Sequence, residues 1–280
     1  MANIENLVDD IYHVLDPRND HVCDEENLAA LGEAVKDAVR DQLRTRKGGP
    51  ALRFSGIGKQ PRQLWYDAHV DPELAEPLEP QAVMKFLYGH IIEAVALFLC
   101  KEAGHEVTDE QKEVEVDGIK GHMDACIDGH VVDVKSASPF GFKKFAEGEI
   151  TPKDDSFGYI RQLSGYATCE DKPAAFLAID KVAGRFALSP LSSYAIKGHP
   201  PAPRIAMLKE ALAKDTPPER CYSDVEDGKS GNRKLGMECG YCKWKNVCWP
   251  ELRGFAYSNG PRWMTKIVRE PDVYEFTKND

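Results

Sequence analysis

The stretch Gly121-His122-Met123-Asp124-Ala125-Cys126-Ile127-Asp128-Gly129-His130-Val131-Val132-Asp133-Val134-Lys135 decides how this chain is read. Asp128-Gly129 between two apolar runs is the strongest short signal for a two-residue hairpin turn. That turn predicts a register in which Ile127 meets His130, Cys126 meets Val131, Ala125 meets Val132 and Asp124 meets Asp133. The two carboxylates then share a sheet face, roughly 4.5–5.5 Å apart at Cβ. Lys135, two residues past Asp133, shares that face, while Val132 and Val134 point the other way, into a core. Carboxylates set opposite each other repel and weaken a sheet. A hard divalent cation removes the penalty, because Mg²⁺ takes one or two carboxylates together with waters and substrate phosphate. A lysine beside such an ion orients or deprotonates water and steadies charge growing on phosphate. The plainer reading of an isolated D-x-K is a solvated strand face on which Lys135 neutralises the aspartates.

Outward from the hairpin, residues 4–16 and 24–46 read as helices. The second has Asp24 as N-cap, Glu25-Glu26 in its first turn, apolar Leu28, Leu31, Ala34, Val35, Ala38, Val39 and Leu43 at helical spacing, and Gly48-Gly49-Pro50 as its stop. Residues 67–80 read as a connecting loop, 81–103 as an apolar helix closed by Gly104. Glu106–Val116, then 119–127 and 130–135, read as strands, with Asp117-Gly118 a second turn. Residues 156–170 and 203–214 read as helices, 173–181 and 184–189 as strands. The order predicts an α/β fold: a mixed central β-sheet flanked by helices, with an N-terminal helical region over 1–80, a core over 81–215 and a Cys-rich region over 216–280.

At 280 residues and 42% hydrophobic composition, the chain is long and apolar enough to bury a core. No apolar run approaches the roughly 20 residues that span a bilayer, and the acidic start MANIENLVDD lacks the features of a signal peptide. The expectation is an intracellular, cytoplasmic protein with no membrane partner. A net charge of −10 argues against a protein that coats nucleic acid by bulk charge. It leaves open an enzyme acting on nucleic acid, because a local basic groove can still steer the substrate. Basic stretches do occur, at Arg40, Arg44, Arg46, Lys47 and Arg53 and at Lys143-Lys144; each read alone is an ordinary solvated face. There is no GxSxG elbow, no GxGxxG and no Walker A pattern, which argues against a serine hydrolase of that type and a nucleotide-driven motor.

Four of the eight cysteines lie in the last quarter: Cys239 and Cys242 as CxxC, Cys248 six positions on, and Cys221 eighteen positions before Cys239. Without an export signal they read as metal ligands. Four thiolates so placed either close a tetrahedral zinc site or hold an iron–sulfur cluster. Either role is structural, since the polar C-terminal tail has little core of its own. Cys100, Cys126 and Cys169 read as small buried hydrophobes, and Cys23 is given no role.

Gly121-His122-Met123-Asp124, Val131-Val132-Asp133-Val134-Lys135 and Gln162-Leu163-Ser164-Gly165-Tyr166 resemble the GxxD, DxK and QxxxY motifs of the PD-(D/E)XK nuclease superfamily. The RecB-like branch and its related phage exonucleases look most similar, and Gly89-His90-Ile91-Ile92-Glu93 resembles that branch's GxxxE/H helix motif. The likeness covers about residues 81–190. It implies a Mg²⁺- or Mn²⁺-dependent deoxyribonuclease of the exonuclease kind, acting on DNA in replication, recombination or repair, with a phage origin and a homo-oligomeric state among the implications. Carried over, Asp124, Asp133, Glu93 and the carbonyl of Val134 would hold the metal and Lys135 would be the catalytic lysine. Gln162 and Tyr166, on one helix face, would support the lysine and contact DNA. The three-cysteine spacing also resembles the iron–sulfur staple of RecB-like nucleases, which implies a 4Fe-4S cluster with structural zinc as the alternative. In that staple the fourth cysteine precedes the core in a CPRxxWY-like segment. Here Gln60 stands at that place in Gln60-Pro61-Arg62-Gln63-Leu64-Trp65-Tyr66, and Cys221 is the natural replacement. The competing reading is a non-catalytic DNA- or protein-binding module with a structural zinc site and surface acids.

Overall fold

The computed structural model describes residues 2–44, 51–148, 150–151, 155 and 157–277. In chain order its elements are α1 (Leu7–Leu15), α2 (Glu25–Leu43), α3 (Pro61–His69), α4 (Pro80–Glu102), β1 (Val107–Thr108), β2 (Glu113–Val116), β3 (Ile119–His122), β4 (Ala125–Ile127), β5 (His130–Ala137), α5 (Pro139–Ala146), α6 (Tyr159–Glu170), β6 (Ala174–Asp180) and β7 (Arg185–Leu191). There follow α7 (Ser193–Gly198), α8 (Pro201–Leu212), β8 (Val225–Glu226), β9 (Arg233–Lys234), α9 (Met237–Gly240), α10 (Lys245–Cys248), β10 (Arg253–Tyr257) and β11 (Gly260–Lys266). The chain forms two compact units, one of Met1–Gly58 with Glu79–Met207, the other of Lys59–Leu78 with Leu208–Asp280.

The first unit is built on a five-stranded mixed sheet in the order β1-β4-β5-β6-β7. Asp128 (φ 46°) and Gly129 (φ 78°) both take left-handed conformations, the signature of a type I′ turn whose twist suits a two-residue hairpin. The register that follows pairs Ala125 with Val132, Cys126 with Val131 and Ile127 with His130. β5 then runs parallel to β6, joined through α5 and α6 as a crossover connection, and β7 returns antiparallel. β2 and β3 form a separate two-stranded sheet around the Asp117-Gly118 turn.

The core lies on both faces of the sheet. Val132, Val134, Ala125, Ile127, Leu177 and Ile179 pack against Leu7 and Ile11 of α1 and Ala96, Leu97, Leu99 and Cys100 of α4. On the opposite face the Phe145 ring of α5 meets Phe176 edge-on at 5.5 Å, and α6 packs on β5. Asp24 caps α2 as its sequence predicts, its carboxylate accepting from Glu26 N and Asn27 N. None of the residues of α2 is fully buried, however; its apolar stripe, with Leu28 and Leu43 exposed, leans on α4 without entering the core. Arg40 and Arg44 form exposed ion pairs with Asp37 and Asp41. Arg46, Lys47 and Gly48-Gly49-Pro50 lie outside the described residues.

Several elements differ from the sequence reading. Residues 67–80 read as loop, yet Asp67–His69 finish α3, which starts on Pro61 at a first-turn position where proline is tolerated. The run 119–127 divides at Met123-Asp124 into β3 and β4. The short helices α5 and α7 carry too few residues for a clear helical period. α4, 23 residues long, is apolar and long enough by composition to cross a bilayer, which corrects the expectation that no such run exists; its C-terminal half is in the core described above. Cys169, expected buried, is exposed.

The second unit also departs from expectation. In place of a polar tail with little core, β10-β11-β9-β8 form an antiparallel sheet and Trp244 packs with Trp65 and Tyr66. The reason is that α3, distant in sequence, supplies the missing apolar mass. Trp244 Nε1 donates to Asp67 at 2.8 Å and Trp65 Nε1 to the Lys214 carbonyl at 2.7 Å, so neither indole N–H is left unpaired.

Phe54 is keyed into the first unit between two glycines. A Cβ on Gly121 would stand 2.4 Å from Phe54 Cβ, and one on Gly165 would stand 2.7 Å from the Phe54 ring. The ring stacks on Tyr166 with centroids 4.9 Å apart. Gly121→Ala is therefore expected to overpack this contact and lower stability by about 1–3 kcal/mol. Urea unfolding monitored by circular dichroism checks this; an unchanged midpoint contradicts the keying.

Candidate active site

β4 begins at Ala125 while β5 continues to Ala137, so beyond Val132 one edge of β5 has no strand partner. Backbone N–H and C=O groups of one residue point to the same neighbouring strand. Asp124, immediately before β4, fills the gap: its Oδ2 accepts from Val134 N at 2.7 Å. The Val134 carbonyl faces the same side, toward Asp124, where it is available as an oxygen ligand. Asp133 is 2% exposed and forms an ion pair with Lys135. Val132 and Val134 alternate into the core, as the period of the strand requires.

Glu93 arrives from α4. Its side chain is about one-fifth exposed, and Oε1 accepts from Gln111 Nε2 at 2.8 Å. Gln111 also ties down the other carboxylate, since its backbone N–H donates to the Asp124 carbonyl at 3.0 Å. Sequence reasoning missed Gln111; its φ of 53°, shared with Asp109 at 55°, marks a tight left-handed turn that composition alone does not announce. Tyr159 was missed as well. It opens α6, where Asp155 accepts from Tyr159 N and Ile160 N, and its ring lies 4.8 Å from Lys135 Nζ. Such a contact favours the charged ammonium. His90 sits half-exposed one turn before Glu93, with Nδ1 4.0 Å from its carboxylate.

The electrostatics set out what the cluster lacks. Burial, then Asp133, pushes the Glu93 carboxyl up to about 7. Burial, then Asp133 and Glu93, raises Asp124 well above the usual carboxylate range. Burial works against the charge on Lys135, but Asp133 and Asp124 outweigh it and hold its pKa above the ordinary lysine value. Three carboxylates against one ammonium leave excess negative charge in a desolvated place, and a divalent cation is the simple remedy. Glu93, Asp124, Asp133 and the Val134 carbonyl offer oxygen donors only, although among the described residues the three carboxylates do not lie within 4.8 Å of one another.

Gln162 and Tyr166 share a face of α6 and come to the same neighbourhood. The Tyr166 hydroxyl is buried; burial, then Asp133, raises its pKa. Tyr166 is thus packed under the site, stacked on Phe54, and Gln162 is the partly exposed member of the pair. A groove of about 480 Å³ opens beside Glu93 and Asp124, walled by α2 and α4. Its lining carries Asp37, Asp41 and Glu110 but a single lysine, Lys101, itself paired with Glu110 at 2.6 Å. Among the described residues this groove has no further Lys or Arg in its lining; Arg46 and Lys47, which follow α2 in the chain, lie outside the described residues.

In the second unit, Cys221, Cys239, Cys242 and Cys248 line one cavity with Arg62, Gln63 and Tyr66 of α3. Arg62 Nε donates to Cys248 Sγ at 3.2 Å. Gln60, at the place where the staple's cysteine is expected, caps α3 and donates instead to the Tyr222 hydroxyl at 3.2 Å. Burial, then the neighbouring thiols, pushes Cys239 up to about 11. Among the described residues, no three of these thiols lie within 4.8 Å of one another.

No protein-family model matches the chain, and no curated protein matches it. Among solved structures the chain is similar to the crystal structure of SSO0001, with 17% identity and a TM-score of 0.41 over 78% of this chain and 95% of that chain. A likeness that slight carries no argument about fold or function.

The Glu93 shift has a consequence for stability. With an ordinary value near 4.5 raised to about 7 in the fold, the native state holds a proton that the unfolded chain has released. Stability from this group is full at low pH and is lost as pH rises from about 4.5 through about 7. Thermal melts of the metal-free protein across that window are expected to fall, and the fall is expected to be smaller in Glu93→Gln. Parallel curves for the two proteins would contradict the assignment.

Proposed function

We propose that this chain is a metal-dependent DNA nuclease that hydrolyses phosphodiester bonds, of the exonuclease kind, with a catalytic centre of Asp124, Asp133, Glu93 and Lys135. The observation that supports the reading is that Glu93 and Asp124, both desolvated, are each pushed up by Asp133 beside them, with Lys135 ion-paired to Asp133. A solvated strand face, the plainer reading of D-x-K, would leave Asp133 exposed; it is buried.

Glu93, Asp124, Asp133 and the Val134 carbonyl would hold Mg²⁺ or Mn²⁺. When bound, the ion supplies Lewis acidity and a water of lowered pKa. The residues of the chain do the rest. Lys135, kept charged by Asp133 and Asp124 and steadied by the Tyr159 ring, donates to a phosphate oxygen as charge grows on it. Glu93, ionised when the ion is bound, orients the attacking water and accepts its proton. Gln111 fixes Glu93 in place. Water adds to phosphorus, the bond to the leaving nucleoside oxygen breaks, and that oxygen takes up a proton. Gln162, the partly exposed member of its pair with Tyr166, would contact DNA.

The four thiols round one cavity would hold a 4Fe-4S cluster, with structural zinc as the alternative; the cluster is favoured by the resemblance of the cysteine spacing, and Arg62 and Arg220 beside the cavity would balance the negative charge of a thiolate cluster. Its role in this reading is to hold the second unit together.

Digestion of end-labelled linear and circular DNA, single- and double-stranded, with and without Mg²⁺, tests the function. Metal-dependent loss of label from linear DNA is expected, with Lys135→Ala slower by roughly 10²–10³-fold and Asp124→Asn inactive. Full activity in Lys135→Ala overturns the catalytic assignment, and binding without cleavage returns the reading of a non-catalytic module. For the cysteines, anaerobic purification is expected to give a brown protein with about four iron atoms per chain. A colourless protein with one zinc at this cavity would replace the cluster by a zinc site.

A further inference from the structure

A second set of metal-ligating side chains lies at the far end of α4. His21 and Cys23 come from the extended segment between α1 and α2, and Glu102 is the last residue of α4. One imidazole nitrogen, one sulfur and one carboxylate oxygen, from His21, Cys23 and Glu102, all lie within 4.8 Å of one another. His21 Nε2 is 2.8 Å from Glu102 Oε2. Glu102 is not a loose surface acid, since its side chain is only 2% exposed. It is held on its other side by Asp24 N, at 3.1 Å from Oε2, and by Asn27 Nδ2, at 2.7 Å from Oε1. The carboxylate is therefore oriented before any ion arrives, and second-sphere bonds of this kind fix a ligand's geometry.

The donor chemistry selects the ion. A thiolate, an imidazole and a carboxylate together are too soft for Mg²⁺ or Ca²⁺ and match zinc, whose sites combine these donors and accept a fourth ligand from water. We infer that His21, Cys23 and Glu102 form a zinc site that clamps the start of α2 to the end of α4. The position gives the clamp a purpose. α2 leans on α4 but has no fully buried residue, so an anchor at its start adds to its placement. Asn27, which bonds to Glu102, also lines the groove that opens beside Glu93 and Asp124, and Leu31, Ala34, Asp37, Ala38 and Asp41 continue that wall. Zinc at this site fixes the wall of the groove.

The test uses the full chain and does not read DNA cleavage, so it stands or falls separately from the nuclease reading. After chelation, the protein is titrated with Zn²⁺, or with Co²⁺ as a spectroscopic probe. Wild type is expected to bind one more ion per chain than Cys23→Ser or His21→Ala. Its cobalt spectrum minus that of Cys23→Ser is expected to show a thiolate charge-transfer band. Because Cys23 is exposed, its alkylation in the unmutated protein gives a second readout, with zinc expected to slow it at least tenfold by mass spectrometry. Equal ion counts and spectra in all three proteins, or a Cys23 alkylation rate indifferent to zinc, overturns the inference.

Discussion

The candidate site depends on one hydrogen bond, from Val134 N–H to the Asp124 carboxylate. It sits where β4 has ended and β5 has not. A bare strand edge there would leave a backbone donor without a partner in a half-buried place, at a cost of about 1–3 kcal/mol. Using a side chain to close it has two effects at once. The sheet is satisfied, and a carboxylate is pinned beside the Val134 carbonyl and Asp133. Structure and chemistry are served by the same atoms, so neither is adjustable alone.

The arrangement is costly for the fold. Like charges are gathered on a desolvated strand edge, and Glu93 and Asp124 answer by holding protons more tightly than free carboxyls do. Gathering desolvated carboxyls in this way runs against local stability. Several supports surround the site. Gln111 braces Glu93 and Asp124 together, Tyr159 lies against the ammonium of Lys135, and Tyr166 stacks on Phe54 beneath. Gly121 and Gly165 belong to this support, because only a residue without Cβ lets Phe54 pass so closely.

The second unit solves a different problem. A cysteine-rich C-terminal segment cannot bury enough apolar surface by itself. It recruits Trp65 and Tyr66 from α3, placing Trp244 against them and bringing α3 to the rim of the cysteine cavity. The same helix whose first turn lacks a cysteine thus still borders the four thiols, and Arg62 contributes a hydrogen bond to one of them.

Local rules carried the hairpin. Asp128-Gly129 is a turn whose backbone demands are met by two residues, so the register from Ala125 to Val132 and the facing of Val132 and Val134 could be read from residues 121–135; Asp124, expected to pair with Asp133 in the ladder, lies just before β4 and binds Val134 N instead. Asp24 as a cap and the length of α4 were legible for the same reason: each is decided within a few residues of itself. What the sequence could not show is whatever depends on partners far along the chain. Gln111 and Tyr159 reach the site from other segments, and the pairing of 59–78 with 208–280 joins stretches more than a hundred residues apart. The burial that shifts Glu93 arises only once α4, the sheet and α2 are assembled. Short-range geometry is written in neighbouring residues; desolvation and long-range contact exist only after the chain has closed on itself.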